Sequence, residues 1–327
     1  MTTSMNLIKF VRRLNRHPRS ILNFFDDAGG FVFNSKYILV KVDGFAASRA
    51  LYPWCRMSDL GFRAITAAIS DVIAKGCRPI VYAISIGVTN NHLIDDIMQG
   101  IEEGVRLYGG YVENFDTNFG NDVWVDVFVL AECRVYPVPR SVEADAELIL
   151  VDRIGSTAIA YIEHYIYGEK PEDESVVERV CRPRAPLSVV DVIEKYRSSI
   201  IGSIDISDTF AETLYDLVLA SNGKYGIYLD FDPSMIADSN LINYVYEKKR
   251  LDVLTGIFIS NEEYIPILVV RKQYVEDILN ELRDKGFNPY VLGYVTCTTN
   301  QVVWRGIKVK KIVWNYAKGR ISILNSL

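Results

Sequence analysis

The chain has 327 residues, enough for two domains of ordinary size, and at 49% hydrophobic and 24% charged it has a globular rather than a disordered composition. A formal net charge of −5 argues against a dedicated nucleic-acid binder, and no apolar run reaches the ~18 to 20 residues of a membrane span. The five cysteines (Cys55, Cys77, Cys133, Cys181, Cys297) form no CxxC pair, which predicts small buried hydrophobes in a reducing cytoplasm and neither a zinc site nor a disulfide framework.

Residues 1–20 carry Lys9, Arg12, Arg13, Arg16 and Arg19 but no apolar core, so they do not read as a secretory signal. Leu7, Phe10, Val11 and Leu14 give the segment one apolar face and predict a surface helix. An acidic, glycine-bearing turn follows over 24–30. Two β-rich runs, 31–33 and 37–42, are joined by Asn34-Ser35 in a hairpin-like link, and the second ends in Asp43-Gly44. A looser segment over 45–57 leads into a helix predicted over 58–75, crowded with small residues that permit close packing. Gly76 ends it as a C′ glycine, and Pro79 prevents its resumption.

The spacing then predicts a strand over 80–88, a helix over 93–108 stopped by Gly109-Gly110, an acid-bearing stretch over 113–117, and an alternating strand over 122–133. Two prolines mark a linker over 135–139. Beyond it come a strand at 148–151, a helix over 158–167 opened by Gly155, a charged loop over 169–178, a rigid basic stretch over 180–186 and a helix over 189–196. Further strands are predicted at 226–229, 257–259, 265–270 and 290–295, a helix over 275–285, and a β-rich end over 302–323. The chain divides near residue 140 into two α+β halves.

One junction stands out. An apolar run over 199–204 ends in Asp205-Ile206-Ser207-Asp208-Thr209, and Phe210, Leu214, Leu217 and Val218 follow at helical spacing. Thr209 with Glu212 is a capping box. Two isolated acids here would do no more than cap the helix and complement its dipole. Asp27, Asp43, Asp71 and Asp116 share the context, however: most fall where an apolar run meets a turn, and Asp71 lies near the end of the small-residue helix. Carboxylates converging on one crevice need cations, and hard oxygen donors select Mg²⁺. His17, His92 and His164 show no ligand spacing. There is no GxxxxGK[ST] and no GxSxG.

In order, Asp27, Val42-Asp43-Gly44, Leu60-Gly61, Ser70-Asp71, Lys75-Gly76-Cys77-Arg78-Pro79, Asp116-Thr117, Arg182-Pro183 and Asp205-Ile-Ser-Asp208 resemble the AIR synthase (PurM-like) superfamily, and within it the thiamine-monophosphate kinases. The resemblance spans roughly 26–295. It implies an α+β, two-domain PurM-like fold with mixed and antiparallel sheets and helices on one face. It divides the chain into an N-terminal ATP- and Mg²⁺-binding domain, 1–140, and a C-terminal domain, 141–327, and implies a homodimer formed through the N-terminal sheet.

The implied activity is a cytoplasmic, ATP-dependent kinase that phosphorylates thiamine monophosphate, a small phosphorylated metabolite, with no nucleic-acid or membrane partner. The implied metal ligands are Asp27, Asp43, Asp71, Asp116, Asp205 and Asp208. Ser207, Arg140 and Thr117 fall at nucleotide-side positions, and Glu262 or Glu263 and Trp314 at substrate-side ones. The chain departs from the family pattern where Asn114-Phe115 replaces a glycine pair and Thr209 a glycine, and no substrate-side histidine follows Asp43. Two alternatives stand beside the kinase: an ATP-using relative that activates a carbonyl or carboxylate, as in the AIR synthase or hydrogenase-maturation branches, and a diverged dimer that binds nucleotide or a partner without turnover.

Overall fold

The structure is a computed structural model that describes residues 13–24, 26–315 and 320–324. The surface helix expected near the N-terminus falls largely outside these residues.

Asn34 and Ser35 both take positive φ (46° and 63°). That is the turn a tight hairpin needs, and it pairs β1 (Gly29–Phe33) with β2 (Lys36–Ala46). Three more strands, β3 (Arg78–Val88), β4 (Tyr111–Phe119) and β5 (Trp124–Cys133), complete a five-stranded sheet in the order β1-β2-β5-β3-β4. Only the β3–β4 pair in it is parallel. The period of two is clean in β5, where Val125, Val127, Val129 and Ala131 are buried and Asp126 and Phe128 face out.

Two helices cover the inner face. The first, Met57–Ala74, is buried at every residue except Met57, including its charged residues Asp59, Arg63 and Asp71. Its close neighbour, Leu93–Tyr108, crosses it at glycines: a Cβ on Gly61 would lie 2.3 Å from the Ile97 carbonyl oxygen, and one on Gly100 would lie 1.7 Å from that of Ser58. The other side of Met57–Ala74 packs against a second sheet.

That sheet holds seven strands in the order β12-β11-β8-β10-β6-β9-β7. They are β6 (Glu147–Leu150), β7 (Ile200–Asp205), β8 (Gly226–Leu229), β9 (Pro266–Val270), β10 (Tyr290–Thr296), β11 (Val302–Trp304) and β12 (Ile307–Lys308). A separate hairpin, β13 (Lys311–Asn315) with β14 (Arg320–Leu324), lies beside the helix Phe210–Ala220. The expected mixed α+β architecture is thus present. Among the described residues, no helix is long and apolar enough to cross a membrane.

Three expectations are corrected. Residues 257–259 are not a strand but the last turn of the helix Val253–Ile259, which Asp252 caps by accepting from the Thr255 amide (2.9 Å); the β-branched residues there serve burial. The charged stretch 169–178 is not all loop, since Asp173 caps a helix, Glu174–Cys181, whose Val176, Val177 and Val180 are buried. The cysteines pair: Cys55 with Cys181 (Cα–Cα 5.4 Å) and Cys77 with Cys133 (4.3 Å), leaving Cys297 free and exposed. Partners 126 and 56 residues apart leave no local spacing to read, so the cysteines give no argument for a reducing compartment.

Candidate active site

The strand, turn and capped helix read at this junction are present, the cap through Thr209 alone. β7 ends at Asp205, Thr209 caps the helix Phe210–Ala220 by accepting from the Glu212 amide (3.1 Å), and Ser207 and Asp208 lie in the turn between. This turn faces the end of Met57–Ala74. Ser70 on that helix donates to Asp205 Oδ2 (2.7 Å), which joins the two sheets at the site. The backbone opposite is strained: Glu262 and Tyr264 both take positive φ (52° and 54°), and their amides donate to the Ser207 and Ile206 carbonyls (3.0 and 2.9 Å).

These elements enclose a cavity of about 330 Å³ lined by acids from five parts of the chain: Asp26 and Asp27 before β1, Asp43 on β2, Asp71 on the long helix, Asp205 and Asp208 before the helix Phe210–Ala220 with Asp216 on it, and Glu262. Five of the six metal candidates therefore converge. Asp116 does not join them in this chain. It lies exposed on β4, at the sheet edge, and accepts from Asn118 (2.9 Å); its neighbour Thr117 is exposed there too. Both Ser207 and Arg140 line the cavity.

Sequence reasoning named Arg140 but missed two other cations, Lys41 and Lys75. Lys75 is fully buried; its Nζ donates to the Ser203 carbonyl (2.9 Å) and forms ion pairs with Asp26 Oδ1 (2.7 Å) and Asp27 Oδ2 (2.6 Å). Lys41 reaches Asp71 Oδ2 (2.5 Å) and Asp43 Oδ2 (3.2 Å). Arg140 bridges Asp27 (3.4 Å) and Asp216 (3.3 Å). A signal existed for Lys41: with period two it shares the inward face of β2 with Leu39 and Asp43, while Val42 points out, 66% exposed.

The titration behaviour follows from this packing. Burial alone would raise Asp27, but Lys75 and Arg140 outweigh it and hold its carboxyl below the usual range. Asp71 is pushed well above that range by burial and the neighbouring Asp205, with Lys41 opposing. Asp205 is pushed up by burial and Asp27, with Ser70 opposing. Burial, Asp208 and Asp216 raise Glu212 to about 8.

The cavity fits hard cations. Its donors are carboxylate oxygens from several elements, and Asp205, only 1% exposed, has a buried Oδ1 with no hydrogen-bond partner among the described residues. An orphaned buried carboxylate oxygen is costly unless a cation completes it.

A second cavity, about 190 Å³, opens beside the first and shares Phe45, Ser207, Asp208 and Glu262 with it. Its own walls combine three aromatic rings, Tyr52, Tyr165 and Trp314, with the polar side chains of Arg49, Arg63 and Asn261. Tyr52 stacks on Trp54 (4.9 Å between centroids), and Tyr165 meets Trp314 edge-on (5.8 Å). Tyr165 projects from a π-helical turn, Ile162–Tyr167, a distortion frequent at functional sites. At the junction of the cavities Arg63, 2% exposed, sits over the Phe45 ring (5.1 Å) and pairs with Glu262. Glu262 is thus the acid that faces the cavities. Glu263 is fully buried elsewhere, where it accepts from the Gly155 amide (2.8 Å), Thr157 (2.9 Å) and Arg179 (3.1 Å).

Residues 25–133 match the family model described as AIR synthase related protein, N-terminal domain. The chain is 27% identical over 285 residues to the thiamine-monophosphate kinase of Pyrobaculum calidifontis, covering 86% of this chain and 88% of that one. It is 24% identical over 320 residues to the thiamine-monophosphate kinase of Pyrococcus abyssi, covering 96% and 95%. Its fold matches the solved structure of AaThiL complexed with AMPPCP and TMP, with a TM-score of 0.77 at 19% identity over 94% of this chain and 93% of that one. The likeness read from the motifs therefore holds in sequence and in fold.

Proposed function

We propose that this chain, which carries the AIR synthase related N-terminal domain and the fold of the thiamine-monophosphate kinases, is an ATP- and Mg²⁺-dependent phosphotransferase that converts thiamine monophosphate to the diphosphate. The observation that carries this reading is the shared wall. An acid-lined cavity suited to cation-bound polyphosphate meets an aromatic cavity suited to a flat, cationic heteroaromatic ring, and Ser207, Asp208 and Glu262 stand at their junction. A thiazolium between Tyr52, Tyr165 and Trp314 gains cation–π attraction, and its phosphate reaches toward the acids.

Phosphoryl transfer to such an acceptor breaks the bond from the γ-phosphorus to its bridging oxygen. It forms one to an oxygen of the acceptor phosphate, and ADP leaves carrying the electron pair. The acceptor oxygen is already anionic at neutral pH, so no proton need be moved and no general base is required. Positioning and charge neutralisation remain as the sources of rate. Mg²⁺, held by Asp27, Asp43, Asp71, Asp205 and Asp208, would supply that neutralisation. Arg140 and Ser207 fall on the nucleotide side of the cavity, and Glu262 and Trp314 on the substrate side.

The two sheets draw on residues 29–133 and 147–308, which supports a domain boundary near residue 140. The outer face of the first sheet exposes Phe33, Val42 and Phe128, an apolar surface suited to a homodimer. In such a dimer Asp116 and Thr117 would be presented to the second copy. A reaction drawing on ATP goes with a cytoplasmic location, and intracellular disulfides have precedent in hyperthermophiles. The test is ADP release from ATP and Mg²⁺ with and without thiamine monophosphate. Release that depends on thiamine monophosphate is expected; intact ATP binding without turnover would overturn the substrate.

A further inference from the structure

Two lysines stand among the acids, and they differ in kind. Lys75 is sealed: it is fully buried, donates to the Ser203 carbonyl, and is ion-paired with both Asp26 and Asp27. It ties the turn before β1 to β7 and has nowhere to go. Lys41 is 18% exposed, borders the cavity, and holds two carboxylates that also border it, Asp43 and Asp71. Its stem rises from the inward face of β2, so its ammonium lies between the first sheet and the long helix. Asp205, which lines the same cavity, has a buried Oδ1 with no hydrogen-bond partner among the described residues.

We propose that Lys41 is a displaceable resident counter-ion: it occupies the Asp43–Asp71 position in the nucleotide-free protein, contends there with a divalent cation, and yields only when a polyphosphate offers it a stronger partner. This rests on the reading of those carboxylates as metal ligands. An ammonium and a divalent ion within 4 Å of the same carboxylates exclude one another, by charge as well as by space. The buried acids are thereby never left bare, since an unpaired buried carboxylate is strongly destabilising. Metal and nucleotide binding become coupled, because each relieves the cost of moving Lys41 for the other.

The test uses Mn²⁺ as the probe, titrated into the full-length protein with and without a non-hydrolysable ATP analogue and followed by the electron paramagnetic resonance of free Mn²⁺. Without nucleotide, Lys41→Met and Lys41→Gln should each bind Mn²⁺ at least about tenfold more tightly than wild type. Lys41→Arg, which keeps the charge, should stay near the wild-type value. With the analogue present, the difference between wild type and the neutral variants should collapse to about twofold or less. Equal Mn²⁺ affinities for folded wild type and both neutral variants would overturn the proposal, as would a gain that persists with nucleotide bound. A wild type that releases no ADP with thiamine monophosphate would sink the kinase reading but leave this titration to stand or fall by itself.

Discussion

Lys75→Met isolates the electrostatic frame of the site from its chemistry. The variant keeps a buried stem of similar length but removes the ammonium from Asp26 and Asp27, whose side chains are 1% and 9% exposed. Breaking a buried ion pair by deleting one partner costs about 3–5 kcal/mol, and here Arg140 at 3.4 Å is left to compensate Asp27 alone. With about 4 kcal/mol and roughly 2–3 °C per kcal/mol for a chain of this size, the melting temperature should fall by about 8–12 °C at pH 7.

The deficit should also depend on pH. Lys75 is the leading charge holding Asp27 low, so in wild type Asp27 contributes stability at neutral pH that is lost only as pH falls through its depressed folded value. In the variant Asp27 titrates upward, and protonation then relieves the buried charge, so the deficit should be smaller at pH 5 than at pH 8. Lys75 itself is raised by Asp27 and Asp26 against burial, so its own charge is constant across that window. Adding Asp26→Asn should recover part of the loss. Thermal melts by circular dichroism at one scan rate suffice. A fall of less than about 3 °C, or a deficit that grows toward pH 5, would refute the reasoning.

Gly100→Ala places a Cβ 1.7 Å from the Ser58 carbonyl oxygen and should cost about 3 kcal/mol, the upper end for overpacking, in denaturant unfolding. Replacing Cys55 and Cys181 together by serine opens a bridge across 126 residues and should cost about 4 kcal/mol; thiol reductant should destabilise the wild type but not this variant by that bridge's share. Glu212→Gln removes a carboxyl raised from 4.5 to about 8. A raised acid penalises folding progressively between those values, so the variant should match wild type below pH 4 and gain about 2 kcal/mol at pH 9 once solvent screening is allowed for. Melts across pH 4–9 check it.

Much of this was legible because it is local. Thr209 and Glu212 announce a helix start, Gly76 with φ +77° announces a helix end, and the valines of β5 announce its buried face. Most of the predicted acids were legible because they close an apolar run; Asp71 was found instead near the end of the small-residue helix. What was not legible depends on distant parts of the chain meeting. Lys75 reads as a surface charge until Asp26 and Asp27 are folded over it, although its neighbours Ala74 and Cys77 are wholly buried. The disulfides join residues with no shared local pattern. Glu262 and Glu263 are adjacent, yet a positive φ at Glu262 turns one into the cavity and leaves the other sealed behind Arg179. Asp116 carries the motif of a site acid but sits on an exposed edge strand, so a motif alone did not locate it.

The central claim is that two adjoining cavities hold polyphosphate and heteroaromatic ring on either side of Ser207, Asp208 and Glu262. A crystal structure with a non-hydrolysable ATP analogue, Mg²⁺ and thiamine monophosphate tests it most directly. The account predicts metal density among Asp27, Asp43, Asp71, Asp205 and Asp208, and the thiazolium ring against Tyr52, Tyr165 and Trp314 with its phosphate pointing at the analogue. Nucleotide bound away from the acids, or an aromatic cavity left empty at saturating thiamine monophosphate, would contradict it.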